Sequence, residues 1–248
     1  MRSQHKVEIT ISGRIRVPKW LYQDTKKYMP KIQGLDGSYI YFDIKDLVSV
    51  NNSIYNAYWA CNWYPILKKR KVPVIKSKIL SADNFEDLIK QMAKYIKKYE
   101  YVRTCNASPR DICNLPIFDN AVDAYESLMS SPRVIKCADE HFHIFMRKKV
   151  EITYESRCFI FCKKLMAVSL NKSIKDTDVQ QFKERLIMFF DKYINDIPYS
   201  SCIIDICLIE DVLSIIKIYP YHYNVGSKLF DWDKDSGILF GSIKPVFR

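Results

Sequence analysis

Apolar and polar residues alternate through Lys6–Ser12 and Gly37–Asp43, which is the period of half-buried strands. Between them, Pro18–Tyr28 carries a proline near its start and places Trp20, Leu21 and Tyr28 on one stripe, predicting a helix. Val72–Leu80 reads as a strand. Asp83 and Glu86 follow at the spacing of a capping box, and Phe85, Leu88, Ile89, Met92, Ile96 and Tyr99 then recur at helical period. The strand-like Tyr101–Cys105 runs toward Ser108–Asp111, where Pro109 holds the preceding residue extended and predicts an ordered turn.

A short helix around Asn120–Ser130 precedes four expected strands: Arg133–Cys137, His141–Met146, Arg157–Cys162 and Leu165–Leu170, the last two joined through Lys163 and Lys164. Asp176 then caps a longer helix whose Val179, Phe182, Leu186, Phe189, Phe190 and Tyr193 form an apolar face. Cys202–Ile209 and Val212–Pro220 complete the pattern as two strands around a Glu210–Asp211 turn. The class is therefore α+β, with antiparallel sheets and packed helices. Residues 1–60 read as a small α+β addition to a domain spanning 61–248.

With 48% apolar and 14% aromatic residues, the chain can fill a sizeable core, and its 6 glycines and 10 prolines gather into no linker. No apolar stretch approaches the ~18–20 residues that cross a bilayer, and the first residues lack a signal-peptide core. A soluble, cytoplasmic protein without a membrane partner is expected. The 8 cysteines form no CxxC pair, so reduced thiols are expected rather than a zinc site or a disulfide framework. A formal charge of +11 favours an anionic partner by steering. The basic run Lys68–Lys71 sits in no recognisable binding motif, and direct nucleic-acid binding is disfavoured.

Several residues are candidates for chemistry. His141 and His143 share one face of a strand, as a metal site could use, but have no neighbouring Asp or Cys cluster. Ser108, Pro109, Arg110 and Asp111 combine a rigid turn with a guanidinium and a carboxylate, which either pair to fix the loop or present charge to a phosphate. Arg157, two residues from Glu155 at the start of an apolar strand, is either its ion-pair partner or an anion ligand. Arg147 invites the same reading, and two strands each supplying one cation would make a phosphate-sized positive cleft. Asp205 interrupts an otherwise apolar strand, where a charge is costly unless paired or bound to a cation. On the next strand stand Lys217 and Tyr219; an ammonium attracts a carboxylate, so a Lys217–Asp205 pair in place of magnesium is the simplest expectation. Trp59, Trp63 and Tyr64 are candidate interface anchors, with core packing as the alternative for each.

Five motifs in fixed order, Cys61–Pro65, Ser108–Asp111, Met146–Lys149, Glu155–Phe159 and Leu229–Trp232, resemble those of the cell division cycle protein 123 family. The resemblance runs from about Cys61 to Arg248. It implies an ATP-grasp-like fold in two lobes and action as an assembly chaperone for translation initiation factor 2, through that factor's gamma subunit. It also implies ATP and magnesium as ligands, with Arg103, Arg147, Arg157 and Asp205 at the nucleotide and Asp205 at the metal. Ser108, Pro109, Arg110, Asp111 and Glu155 would organise the site. Arg103 stands where the family has a Lys, Lys217 and Tyr219 stand where it has Asp and Asn, and Leu170 with Asn171 replaces a Gln-Arg pair. Association without bond making is thus the expected function. An ATP-dependent ligase and a non-catalytic scaffold with an unrelated partner are the alternatives.

Overall fold

The computed structural model describes residues 58–248 apart from 83, 114, 137–142, 171–175, 223–224 and 242–243, and before them residues 8–9, 14–18, 34–36 and 39–43. The chain forms two compact units, one of residues 56–152 and one of residues 153–248 with residues 1–55.

The N-terminal strands are β1 (Glu8–Ile9), β2 (Arg14–Pro18), β3 (Gly34–Asp36) and β4 (Tyr39–Asp43), antiparallel in the order β1-β2-β4-β3. The alternation at both ends of this segment is thus strand. The helix expected over residues 18–28 lies outside the described residues, apart from Pro18, which closes β2.

In the unit of residues 56–152, α1 (Ala60–Lys69) buries Ala60, Trp63, Tyr64 and Leu67, the i, i+3, i+4, i+7 face of a helix. Lys68 and Lys69 in its last turn complement the negative end of the helix dipole. Strands β5 (Ser77–Ser81), β6 (Tyr101–Thr104) and β7 (His143–Arg147) form an antiparallel sheet with β7 at its centre. Because side chains alternate across a strand, Ile144 and Met146 enter a core with Leu88, Met92, Ala124 and Leu128 of helices α2 (Phe85–Tyr95) and α3 (Ala121–Met129). Phe145 points the other way, against Trp63 and Tyr64. Trp63 and Tyr64 are core residues, 1% and 6% exposed, so of the three aromatic anchor candidates only half-buried Trp59 keeps a solvent face.

Two elements depart from the expected pattern. The cap of α2 is Asn84, whose Oδ1 accepts from the Asp87 N–H at 2.9 Å, one residue later than the spacing of Asp83 and Glu86 suggested; Asp83 itself lies outside the described residues. Arg133–Cys137 does not extend as a strand. Pro132–Lys136 is a short helix, α4, because proline suits a first helical position and two side chains take the orphan amides. Ser131 Oγ accepts from the Val134 N–H at 3.1 Å, and the Asp111 carboxylate accepts from that of Arg133 at 2.9 Å.

In the unit containing residues 153–248, strands β8 (Tyr154–Phe161), β9 (Lys164–Leu170), β10 (Cys202–Ile209), β11 (Val212–Pro220) and β12 (Val246–Phe247) lie in the order β11-β10-β8-β9-β12. Only the β9–β12 pairing is parallel. Both hairpin turns place two central residues at positive φ, Cys162 and Lys163 at 52° and 59°, and Glu210 and Asp211 at 46° and 65°. That conformation matches the twist of a two-residue hairpin but strains a residue with a Cβ. Lys163 partly compensates, as its Nζ donates to the Ile194 carbonyl at 3.2 Å and to that of Ile197. Helix α5 (Asp176–Tyr193) buries Phe182, Leu186 and Phe190, as its period predicts. Phe159, Phe161, Met166 and Ile203 form a separate cluster with Phe230, Tyr221 and Trp232 and with Leu239 and Phe240 of α6 (Ser236–Gly241).

Candidate functional site

Asp205 stands in the middle of β10, paired in register with Arg157 on β8 and with Lys217 on β11. Residues directly opposite share a face, so all three side chains project to one side of the sheet. Arg157 takes the carboxylate with both prongs of its guanidinium: Nε to Oδ1 at 2.8 Å and Nη2 to Oδ2 at 2.9 Å. Its remaining nitrogen donates to the Gly226 carbonyl. Tyr219 donates its hydroxyl to Asp205 Oδ2 at 2.9 Å, and its ring lies beneath the Arg157 guanidinium at 4.9 Å and the Lys217 ammonium at 4.5 Å. The paired side chains are only 10% and 8% exposed.

Burial alone would lower the Arg157 pKa, but the hydrogen bonds and charge of Asp205 outweigh it and shift the guanidinium upward. The charge that interrupts an apolar strand is therefore neutralised by an arginine 48 residues away. The sequence pointed to Lys217 or Glu155 as partners, and the structure gives the fork of Arg157 to Asp205. Beside it opens a cavity of about 340 Å³ lined by Glu155, Ser156, Arg157, Ser169, Lys228 and Leu229, among others. Ser169 Oγ accepts from the Leu229 N–H at 3.2 Å, fastening the segment after β11 over this end of the sheet.

Magnesium does not fit this donor set. Both oxygens of Asp205 already accept charge-assisted or hydroxyl hydrogen bonds, and the flanking strand offers an ammonium and a phenol where a hard cation needs carboxylates or amides. Among the described residues, no three His, Cys, Asp or Glu side chains converge as metal ligands. His141 lies outside the described residues; His143 opens β7.

Arg103 and Arg147 belong to the other unit, where β6 and β7 pair Tyr101 with Arg147 and Arg103 with Phe145. The Arg147 guanidinium lies over the Tyr101 ring at 4.3 Å and that of Arg103 over Phe145 at 4.7 Å. Arg103 is 5% exposed and donates to the carbonyls of Thr104 and Cys105 at 3.1 and 3.3 Å. Burial raises the Tyr101 pKa, but the Ser108 hydroxyl, Arg103, Arg147 and Arg110 together bring it below the ordinary phenol value. The result is a cationic face built around a phenol, chemistry suited to an anion.

The turn at Ser108–Asp111 divides its labour. The Pro109 carbonyl accepts from the amides of Ile112 and Cys113 at 3.1 and 2.9 Å, and Asp111 turns to Ser131 Oγ at 2.5 Å and the Arg133 amide. The structure thus joins Arg157, Asp205 and Glu155 at one sheet end, and Arg103, Arg147, Ser108 and Arg110 around Tyr101 in the other unit. Tyr101, Ser169, Lys228 and the Gly226 carbonyl were not marked by the sequence reading. The alternation of Tyr101 with Arg103 on one strand was the signal that could have found Tyr101.

No protein-family model matches the chain. A CDC123-like protein of Acanthamoeba polyphaga mimivirus is 24% identical over 241 aligned residues, covering 77% of this chain and 73% of that protein. Cdc123 from Schizosaccharomyces pombe superposes with a TM-score of 0.65 at 18% identity over 80% of this chain and 97% of its own. Its C-terminally truncated form gives 0.66 at 17% identity with the same coverage. The fold is that of Cdc123, within the α+β class that the sequence pattern predicts. In sequence and in fold, the chain is similar to proteins of the Cdc123 family.

Proposed function

We propose that this protein is a chaperone-like binding protein that acts by association, recognising the gamma subunit of translation initiation factor 2 and promoting or modulating its assembly. The observation that carries this reading is the Arg157–Asp205–Tyr219 cluster within a Cdc123 fold. A scaffold that keeps its architecture while its central carboxylate is closed by a guanidinium is suited to binding rather than to phosphoryl transfer, which needs magnesium to offset charge. The +11 formal charge supports a partner with an acidic surface. Trp59, half-buried at the start of α1, is the aromatic best placed to anchor a partner.

The test is a titration of the purified chain against the purified gamma subunit by calorimetry. Saturable binding that weakens with added salt is expected. Absence of binding at micromolar concentrations of both proteins overturns the assignment of this partner.

A further inference from the structure

The cavity beside the Arg157–Asp205 pair keeps two charges that the fold does not spend. Arg157 and Asp205 are committed to each other, to the Gly226 carbonyl and to the Tyr219 hydroxyl. What remains on the lining is the Glu155 carboxylate and the Lys228 ammonium. Among the described residues neither takes part in a hydrogen bond or an ion pair, and they do not pair with each other. Two opposite charges that line one space without meeting leave room for a molecule that carries the complementary pair.

The backbone sets where these groups stand. Glu155 lies on β8 two residues from Arg157, so strand alternation puts both on the same face of the sheet. Ser169 on β9 is in register with Arg157 and shares that face. Lys228 belongs to the segment after β11 and adopts φ 61°, a left-handed conformation that strains a residue with a Cβ. Hydrogen bonds of its neighbours hold it there: the Leu229 amide donates to Ser169 Oγ at 3.2 Å, and Ser227 Oγ donates to the Phe230 carbonyl. Its position therefore owes nothing to a partner of the ammonium. Ser169 adds a donor. The residue is 4% exposed and its oxygen accepts from Leu229, while its proton goes to no described residue. Leu170 and Leu229 supply apolar lining, and the volume of about 340 Å³ lies at the low end of the ~300–1,000 Å³ that small-molecule sites span.

We propose that this cavity binds a free α-amino acid with an apolar side chain. The ligand carboxylate meets the Lys228 ammonium and the Ser169 hydroxyl, the ligand ammonium meets the Glu155 carboxylate, and the side chain lies against Leu170 and Leu229. An α-amino acid puts both charges and an apolar group on one carbon, which suits a space of this size and lining. A simple anion satisfies Lys228 and is repelled by Glu155; a simple amine does the reverse. No bond is made or broken. The inference is independent of the partner proposed above, because the occupant is a small molecule and its binding is measured without that partner.

The test is calorimetry of the whole protein with L-alanine, L-leucine and L-phenylalanine. Saturable binding of at least one is expected. For that amino acid, the N-acetyl and carboxamide derivatives, each lacking one charge, should bind on the order of tenfold more weakly. Glu155→Gln should erase the disadvantage of the N-acetyl form, and Lys228→Met that of the carboxamide, a charge-specific exchange that a merely structural role would not produce. The derivatives keep the test decisive if a variant fails to fold. Absence of saturation by all three at about 10 mM, where a Kd of ~1 mM gives ~90% occupancy, overturns the proposal. So does equal binding of the free and blocked amino acids, or binding of inorganic phosphate as tight as that of the amino acid.

Discussion

Arg157 grips both carboxylate oxygens of Asp205, at 2.8 and 2.9 Å, across a pair of neighbouring strands in which the two residues are in register. The pair is almost fully withdrawn from water, so removing either member strands a charge. Arg157→Met is expected to cost about 3–5 kcal/mol of unfolding free energy, the range for breaking a buried pair. Arg157→Met with Asp205→Leu should recover most of that loss, because no uncompensated charge remains. Urea denaturation of the single and double variants measures both, and a double variant no more stable than the single one would contradict the pairing argument.

The residues facing Asp205 on β11 should decide whether a metal binds. ATP at ~100 times its dissociation constant would stabilise the fold by ~2.7 kcal/mol, so thermal unfolding reads binding directly. Magnesium is expected to add nothing to whatever ATP does for the wild-type chain. Lys217→Asp with Tyr219→Asn removes an ammonium and a competing hydroxyl while restoring oxygen donors beside Asp205, and should produce a magnesium-dependent increment. A magnesium-dependent rise in the wild-type Tm would overturn the fit argument.

How far this centre could be read from sequence follows from the range of each interaction. The β10–β11 hairpin is local, so Lys217 and Tyr219 were visible as neighbours of Asp205, and the cost of an unpaired Asp205 was visible too. Its actual partner was not, because the register of β8 against β10 joins residues 48 apart and no local pattern encodes it. Arg157 stands opposite Asp205 with a planar fork that matches a carboxylate, where an ammonium is a point charge. Strands β6 to β11 and the face of α5 followed from periodicity, whereas β12 at Val246–Phe247 was not read as a strand. The α4 segment was misread because its helix depends on Asp111, more than twenty residues upstream, as well as on Ser131 and Pro132 beside it. Trp63 was ambiguous for a similar reason: its burial depends on Phe145 of β7.

That burial separates Trp63 from its neighbour Trp59 by experiment. Trp63 is 1% exposed and packs at 6.2 Å from the rings of both Tyr64 and Phe145. Trp63→Ala should cost about 3–5 kcal/mol, as large aromatic truncations in cores do. Trp59→Ala, at a half-buried position whose side chain makes no cap hydrogen bond, should change stability by no more than about 1 kcal/mol while weakening partner binding. Denaturation and titration of the two variants distinguish the roles.

Acid stability should depend on Asp111. Its carboxyl is held below the ordinary aspartate value of 3.8, first by the Ser131 hydroxyl and then by the Arg133 amide. A carboxylate whose folded pKa is depressed contributes stability that is complete above its unfolded pKa and disappears as pH falls through the folded value. The contribution is therefore present at neutral pH and erodes below about pH 4, the unfolded range. Asp111→Asn should lower stability at pH 7 and flatten the acid limb of a stability-against-pH curve, since an amide keeps an acceptor for the α4 amides but binds no proton. Wild-type and variant curves that stay parallel from pH 6 down to pH 3 would show that Asp111 is not held in its charged form by α4.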